Sequence, residues 1–151
     1  MEDGSGIPYI KGMNVKNVEV QEDNLDRIVN TDELPEKFYT KKGDIIISQM
    51  ATVADCGVVE DAQENWLFAS LTIRLRLKDF KAYNPYFIGI YIQKLAKKYS
   101  FNRYIAQANV RQNTDLPTVK NMFIPIVNIK IQNEIADKIK EIKEKKRKSI
   151  M

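Results

Sequence analysis

The stretch from Asn109 to Ile142, NVRQNTDLPTVKNMFIPIVNIKIQNEIADKIKEI, decides how the chain is read. It runs from a polar loop at Gln112-Asn113, through Leu116 and Val119, to Ile124-Pro125-Ile126, which reads as a short strand, and then into a long amphipathic helix. In that helix Ile131, Ile135, Ile139 and Ile142 recur at spacings of four, four and three, which puts them on one stripe of an α-helical period. Charges fill the other face: Lys138, Lys140, Lys143 and the run Lys145-Lys146-Arg147-Lys148 project from it, and cations suit the C-terminal end of the helix dipole. The pattern allows two uses, a surface helix docked on its own domain or a helix whose isoleucines pair with a second helix.

At 151 residues the chain is long enough for one domain with a sizeable core and too short for two comfortable ones. Its apolar runs are too short for a transmembrane helix, and Met1-Glu2-Asp3 does not open like a signal peptide. The single cysteine, Cys56, excludes an intrachain disulfide, and the lack of histidine excludes zinc fingers and His-dependent triads. Cys56 lies between Asp55 and Gly57 in apolar company and reads as a small buried residue rather than a nucleophile. The net charge of +4 hides an asymmetry: residues 1–70 hold 6 Lys and Arg against 14 Asp and Glu, and residues 71–151 hold 18 against 6. Either one face meets a polyanion, or the two halves attract each other; composition leaves both open.

Near the start of the chain, Ile7-Pro8-Tyr9-Ile10-Lys11-Gly12 reads as a short strand entered through a proline, and Val15, Val18 and Val20 alternate weakly. Asn30-Thr31-Asp32-Glu33 offers helix-capping chemistry before a short helix or turn at Leu34 to Tyr39. A turn at Lys41-Lys42-Gly43-Asp44, capped by Asp44, leads into Ile45-Ile46-Ile47-Ser48, a β-branched run suited to a strand buried on both faces. From Leu71 to Lys78 apolar and polar residues alternate, which predicts a half-buried strand with Arg74, Arg76 and Lys78 on its outer face, free for phosphate or merely wet. Asn84-Pro85 supplies an N-cap and a first-turn proline for a helix running to about Tyr99, with Phe87 or Ile88, Tyr91, Leu95 and Tyr99 on its apolar side.

The segment Phe101 to Asn113 mixes Tyr104 with Asn102, Arg103, Gln107, Asn109, Arg111, Gln112 and Asn113. Arginine pairs bidentately with guanine, and Asn and Gln with adenine, so this vocabulary suits base reading in the major groove; it equally suits a polar loop whose amides cap nearby turns. Catalytic motifs are missing. Asn84-Pro85-Tyr86-Phe87 lacks the second proline of the amino-methyltransferase loop, and the chain has no glycine-rich cradle for a phosphate or a methyl donor. Asp44 with Asp55 or Glu60 could be imagined as a nuclease pair, but Asp61-Ala62-Gln63 does not provide the Glu-x-Lys such a site would want. The chain reads as a binder without catalytic residues or a metal site.

The order of these pieces resembles the target recognition domain of DNA specificity subunits in type I restriction-modification systems. Four segments carry the resemblance: Gly6-Ile7-Pro8-Tyr9-Ile10; Gly43-Asp44-Ile45-Ile46-Ile47-Ser48 followed by Ala51-Thr52-Val53 and Gly57-Val58-Val59; the Asn84-Pro85 helix; and Ile124-Pro125-Ile126 leading to Gln132-Asn133-Glu134-Ile135-Ala136. Together they span Gly6 to Ile139. In that family a further strand and loop usually precede the first segment, and one such domain is half of a subunit, so an incomplete domain or a half-subunit is expected.

The resemblance implies an α+β fold, a mixed, barrel-like sheet domain over residues 1–127 followed by the start of a spacer helix over 128–151. It implies a non-catalytic, cytoplasmic component that recognises one half-site in double-stranded DNA. Lys94, Lys97, Lys98 and Lys120 would meet phosphates, and Arg103, Tyr104, Gln107, Asn109, Arg111 and Gln112 would face bases. Ile131, Ile135, Ile139 and Ile142 would pair with a second copy or a second recognition domain. The methyltransferase and restriction subunits are the expected partners, and S-adenosylmethionine, ATP and magnesium would sit on them and not on this chain. Two alternatives stand beside this reading: a protein-interaction module with a basic docking helix, and the recognition fragment of a single-chain restriction and methylation enzyme.

Overall fold

The computed structural model describes residues 4–29, 32, 34–49, 55–94 and 116–150. In chain order its elements are β1 (Ile7–Ile10), β2 (Val15–Lys16), β3 (Val18–Val20), β4 (Asp26–Ile28), β5 (Ile45–Ser48), β6 (Cys56–Val58), β7 (Leu67–Phe68), β8 (Thr72–Leu75), α1 (Pro85–Tyr91), α2 (Leu116–Lys120) and α3 (Ile129–Ile150). Short 3-10 turns lie at Gly12–Asn14, Glu36–Phe38 and Asp61–Gln63. The strands form two sheets, ordered β4-β1-β7 and β2-β3-β6-β5-β8. Each contains a parallel pair, β1 with β7 and β3 with β6, and each keeps open edges among the described residues. The fold is therefore α+β as expected, but with two mixed open sheets in place of a barrel.

Strand β5 explains the layering. Ile45 and Ile47 point into a core with Val58, Ile73, Phe87, Ile88 and Ile92, while Ile46 points into a second core with Ile10, Val15, Val20 and Val59. All three isoleucines are fully buried. Side chains alternate along a strand, so a sheet covered on both sides needs an unbroken apolar run at its centre. Helices α1 and α3 cover the first face, through Phe87, Ile88, Ala136 and Ile139, and the three-stranded sheet covers the second. Asp44 caps the turn into β5 by accepting from the Lys41 backbone N–H at 2.8 Å.

The weak alternation at Val15 to Val20 resolves into a hairpin. Val15 lies opposite Val20 and Lys16 opposite Glu19, leaving Asn17 and Val18 as the two turn residues, at φ of 55° and 65°. Such a turn normally takes Asn-Gly, because a β-branched side chain is strained in the left-handed region by about 1–2 kcal/mol. Burial of the Val18 side chain and a 3.1 Å bond from its N–H to Gln93 Oε1 hold it there. Beside this hairpin Gly57 lets β6 approach β3: an added Cβ would lie 2.7 Å from the Glu19 carbonyl oxygen.

Several expected elements differ. The strand expected over Leu71 to Lys78 is paired only over Thr72–Leu75, and its faces do not sort as the alternation implied: Leu71 is exposed and Thr72 buried. The two arginines meant for its outer face are tied down. Arg76 forks onto Asp44 with two 2.7 Å bonds, and Arg74 donates to the Lys37 carbonyl at 2.8 Å. The short helix or turn expected at Leu34 to Tyr39 is present as a single 3-10 turn, Glu36–Phe38, but it is entered from Pro35 without the expected side-chain cap; Asn30, Thr31 and Glu33 fall outside the described residues. No strand forms at Ile124-Pro125-Ile126, where Pro125 has no N–H for a ladder; Leu116 to Lys120 is instead a short helix.

Gly57→Ala is expected to destabilise the domain by about 1–3 kcal/mol, since the new methyl meets backbone that cannot move without parting β3 from β6. A lowered urea midpoint with an unchanged m-value would register it.

Candidate nucleic-acid interface

Helix α1 begins as the sequence predicted. The Asn84 side chain accepts from the N–H groups of Tyr86 at 2.9 Å and Phe87 at 3.2 Å, with Pro85 in the first turn. Both aromatic side chains are buried, so this segment starts a helix and is not an open pocket that stacks on a base. The helix passes into a wider π turn at Ile92 to Lys94; its expected continuation to Tyr99 lies outside the described residues.

The long helix α3 docks on the domain by a face built chiefly on residues that the isoleucine pattern did not mark. Gln132 and Ala136 are fully buried, and Ile139 packs against the first core. Gln132 makes three hydrogen bonds: its Oε1 accepts from Asn84 N at 2.9 Å, and its Nε2 donates to Val127 O at 2.7 Å and Ala82 O at 3.0 Å. Asn84 Nδ2 donates to Asn133 Oδ1 at 2.7 Å alongside. Further along, Lys143 Nζ lies over the Tyr86 ring, donates to its hydroxyl at 2.6 Å, and donates to the Asn17 carbonyl at the tip of the strained hairpin. Arg147 pairs with Glu19. Burial lowers the Lys143 pKa, with the Glu19 carboxylate opposing, and burial raises the Tyr86 phenol to about 12 with Glu19 adding to the effect.

The four isoleucines are thus not equivalent. Ile139 belongs to the chain's own core, whereas Ile131, Ile135 and Ile142 are 49%, 38% and 54% exposed. At about 100° per residue their stripe lies roughly 90° around the helix from the docked one. The charged face divides too. Lys143 and Arg147 face the domain, Lys140 stands over the Tyr86 ring, and Lys145 and Lys148 pair with Glu141 and Glu144 one turn back.

Of the candidate DNA contacts, Lys94 and Lys120 are exposed, at the end of the α1 turn and the end of α2. Lys97, Lys98, Arg103, Tyr104, Gln107, Asn109, Arg111 and Gln112 lie outside the described residues. A groove of about 650 Å³ elsewhere is lined by Tyr9, Lys11, Met13, Val15 and Leu71 among others, includes neither lysine, and has Lys11 held by Asp26 at 2.7 Å. The described residues hold no group of His, Cys, Asp and Glu suited to a metal, and no helix among them is long and apolar enough to cross a membrane.

Cys56 is buried, and its Sγ lies 3.4 Å from the Gly89 carbonyl oxygen. Burial, reinforced by Asp55, pushes its pKa up to about 12. At pH 8 the folded chain should resist a thiol reagent that modifies the urea-unfolded chain fully; rapid labelling of the folded chain would contradict this placement.

The profile of the family described as "Type I restriction modification DNA specificity domain" matches residues 2–150, and the chain belongs to that family. No curated protein matches the sequence. Among solved structures, the chain is similar to the HsdS subunit from Thermoanaerobacter tengcongensis, with a TM-score of 0.72 at 13% identity over 95% of this chain and 37% of that one. It is also similar to a chain reported under "Structural basis underlying complex assembly and conformational transition of the type I R-M system", with a TM-score of 0.65 at 16% identity, covering 95% of this chain and 32% of that one. These likenesses establish the fold, and this chain spans about a third of the length of each neighbour.

Proposed function

We propose that this chain reads one half of a split sequence in double-stranded DNA as part of the specificity subunit of a type I restriction-modification enzyme. The observation that carries the reading is the family match over residues 2–150 on a fold whose last helix leaves the domain with a second apolar stripe uncovered. The chain acts in the cytoplasm and catalyses nothing itself. Methyltransferase subunits dock along the helices and methylate adenine with S-adenosylmethionine; the restriction subunit brings ATP and magnesium. Lys94, Lys97, Lys98 and Lys120 neutralise phosphates, while Arg103, Tyr104, Gln107, Asn109, Arg111 and Gln112 meet the bases.

This division of roles has a measurable signature. Lys120→Ala should weaken binding to all duplexes alike and flatten the salt dependence by about one phosphate contact. Arg103→Ala or Arg111→Ala should cost about 1–3 kcal/mol on the cognate half-site and relax one base position, as titrations against single-base variants would record. Identical behaviour of the two classes contradicts the assignment.

The uncovered stripe of α3 pairs with the equivalent helix of a second copy or a second recognition domain. Because Ile139 is used internally, the informative variant is Ile135→Asp with Ile142→Asp. The parent chain should self-associate weakly in sedimentation equilibrium and the double variant should be monomeric, with unchanged helix content. A parent chain that stays monomeric at high concentration rules the pairing out.

A further inference from the structure

Helix α3 has 22 residues and a length of about 33 Å. If α3 is the spacer between two recognition domains, its direction matters as much as its length. A tilt of only about 6° at the base moves the far end by about 3.4 Å, the rise of one base pair. A single contact at the first turn would leave that angle loose, so something must hold the helix at two separated points.

We propose that Gln132 and Lys143 are the positioning residues that fix the direction of α3 on the recognition domain, and with it the half-site spacing the assembled subunit accepts. This inference rests on the reading of the chain as a DNA half-site recogniser. The two residues lie eleven positions apart, roughly 16 Å along the axis. They are built differently. Gln132 is 0% exposed and joins three backbone groups, Asn84 N, Ala82 O and Val127 O, with no charge involved. An amide is the side chain that supplies both the acceptor and the paired donors this site demands; a carboxylate would face two carbonyls, and an apolar residue would remove the side-chain partner of all three backbone groups.

Lys143 gives the second point. Its ammonium sits against the Tyr86 ring and hydroxyl and the Asn17 carbonyl, so it joins α1 and the β2–β3 hairpin to the helix at once. Asn17 is itself fixed by the left-handed turn that Gln93 braces through Val18. Arg147 and Glu19 add a more exposed contact one turn further on. The neutral contact at the base is insensitive to salt, and the cationic contact is partly shielded from it by burial.

Two spin labels would test this on the full chain, one at Ala62→Cys on an exposed 3-10 turn and one at Ser149→Cys near the helix end; buried Cys56 stays unlabelled. The parent should give one narrow distance distribution by double electron–electron resonance. Gln132→Met, which keeps the side-chain length, and separately Lys143→Met should each broaden the distribution or shift its mean by several ångströms, with helix content by circular dichroism unchanged. If Gln132→Met does not fold, Lys143→Met alone decides the matter. Parent-like narrow distributions in the folded variants overturn the proposal. The distance needs no DNA, so that result would leave the half-site reading standing, and a failure of DNA recognition would leave the measured helix direction intact.

Discussion

Burying three consecutive isoleucines is the constraint on which the rest of this fold depends. Ile45, Ile46 and Ile47 alternate between two cores, so the central sheet must be covered on both sides. That requirement places α1 and α3 on one face and the small sheet of β1, β4 and β7 on the other. It also places Gly57, the close partner of β3, and the strained Asn17-Val18 turn in the layer that receives helix α3. Helix α3 thus rests on the same core that buries Ile45 and Ile47.

Much of this was legible in the residues and some was not, for physical reasons. The unbroken Ile45 to Ser48 run announces a strand covered twice, and Asn84-Pro85 announces a helix start, because each is a local requirement met by local chemistry. Val18 in a left-handed turn carries no such mark; its strain is offset by Gln93, 75 residues away. The alternation at Leu71 to Lys78 misled because Arg74 and Arg76 find carbonyl and carboxylate partners on the loop before β5, which periodicity cannot see. In α3 the isoleucines dominate the pattern, yet the docked stripe is built on a glutamine, an alanine and a lysine beside a single isoleucine. A buried glutamine reads as polar in any hydrophobic pattern, and only its three partners reveal it.

Part of the charge asymmetry is spent inside the domain. Arg76 with Asp44 and Arg147 with Glu19 join the basic half to the acidic half, so part of the imbalance holds the domain together. Lys94 and Lys120 remain exposed on elements that flank in sequence the segment richest in Arg, Asn and Gln, which is the segment proposed to meet DNA. Separating cations that fasten the helix from cations that face solvent narrows the surface available for the proposed DNA contact.

The most direct test of the account is a selection from random duplex DNA, performed with the chain and a methyltransferase subunit together at two salt concentrations. One short, defined half-site should be recovered, with an enrichment that survives the higher salt, because base contacts persist when phosphate contacts weaken. Sequence-independent retention that vanishes as salt rises would contradict it and identify the chain as a basic protein-interaction module instead.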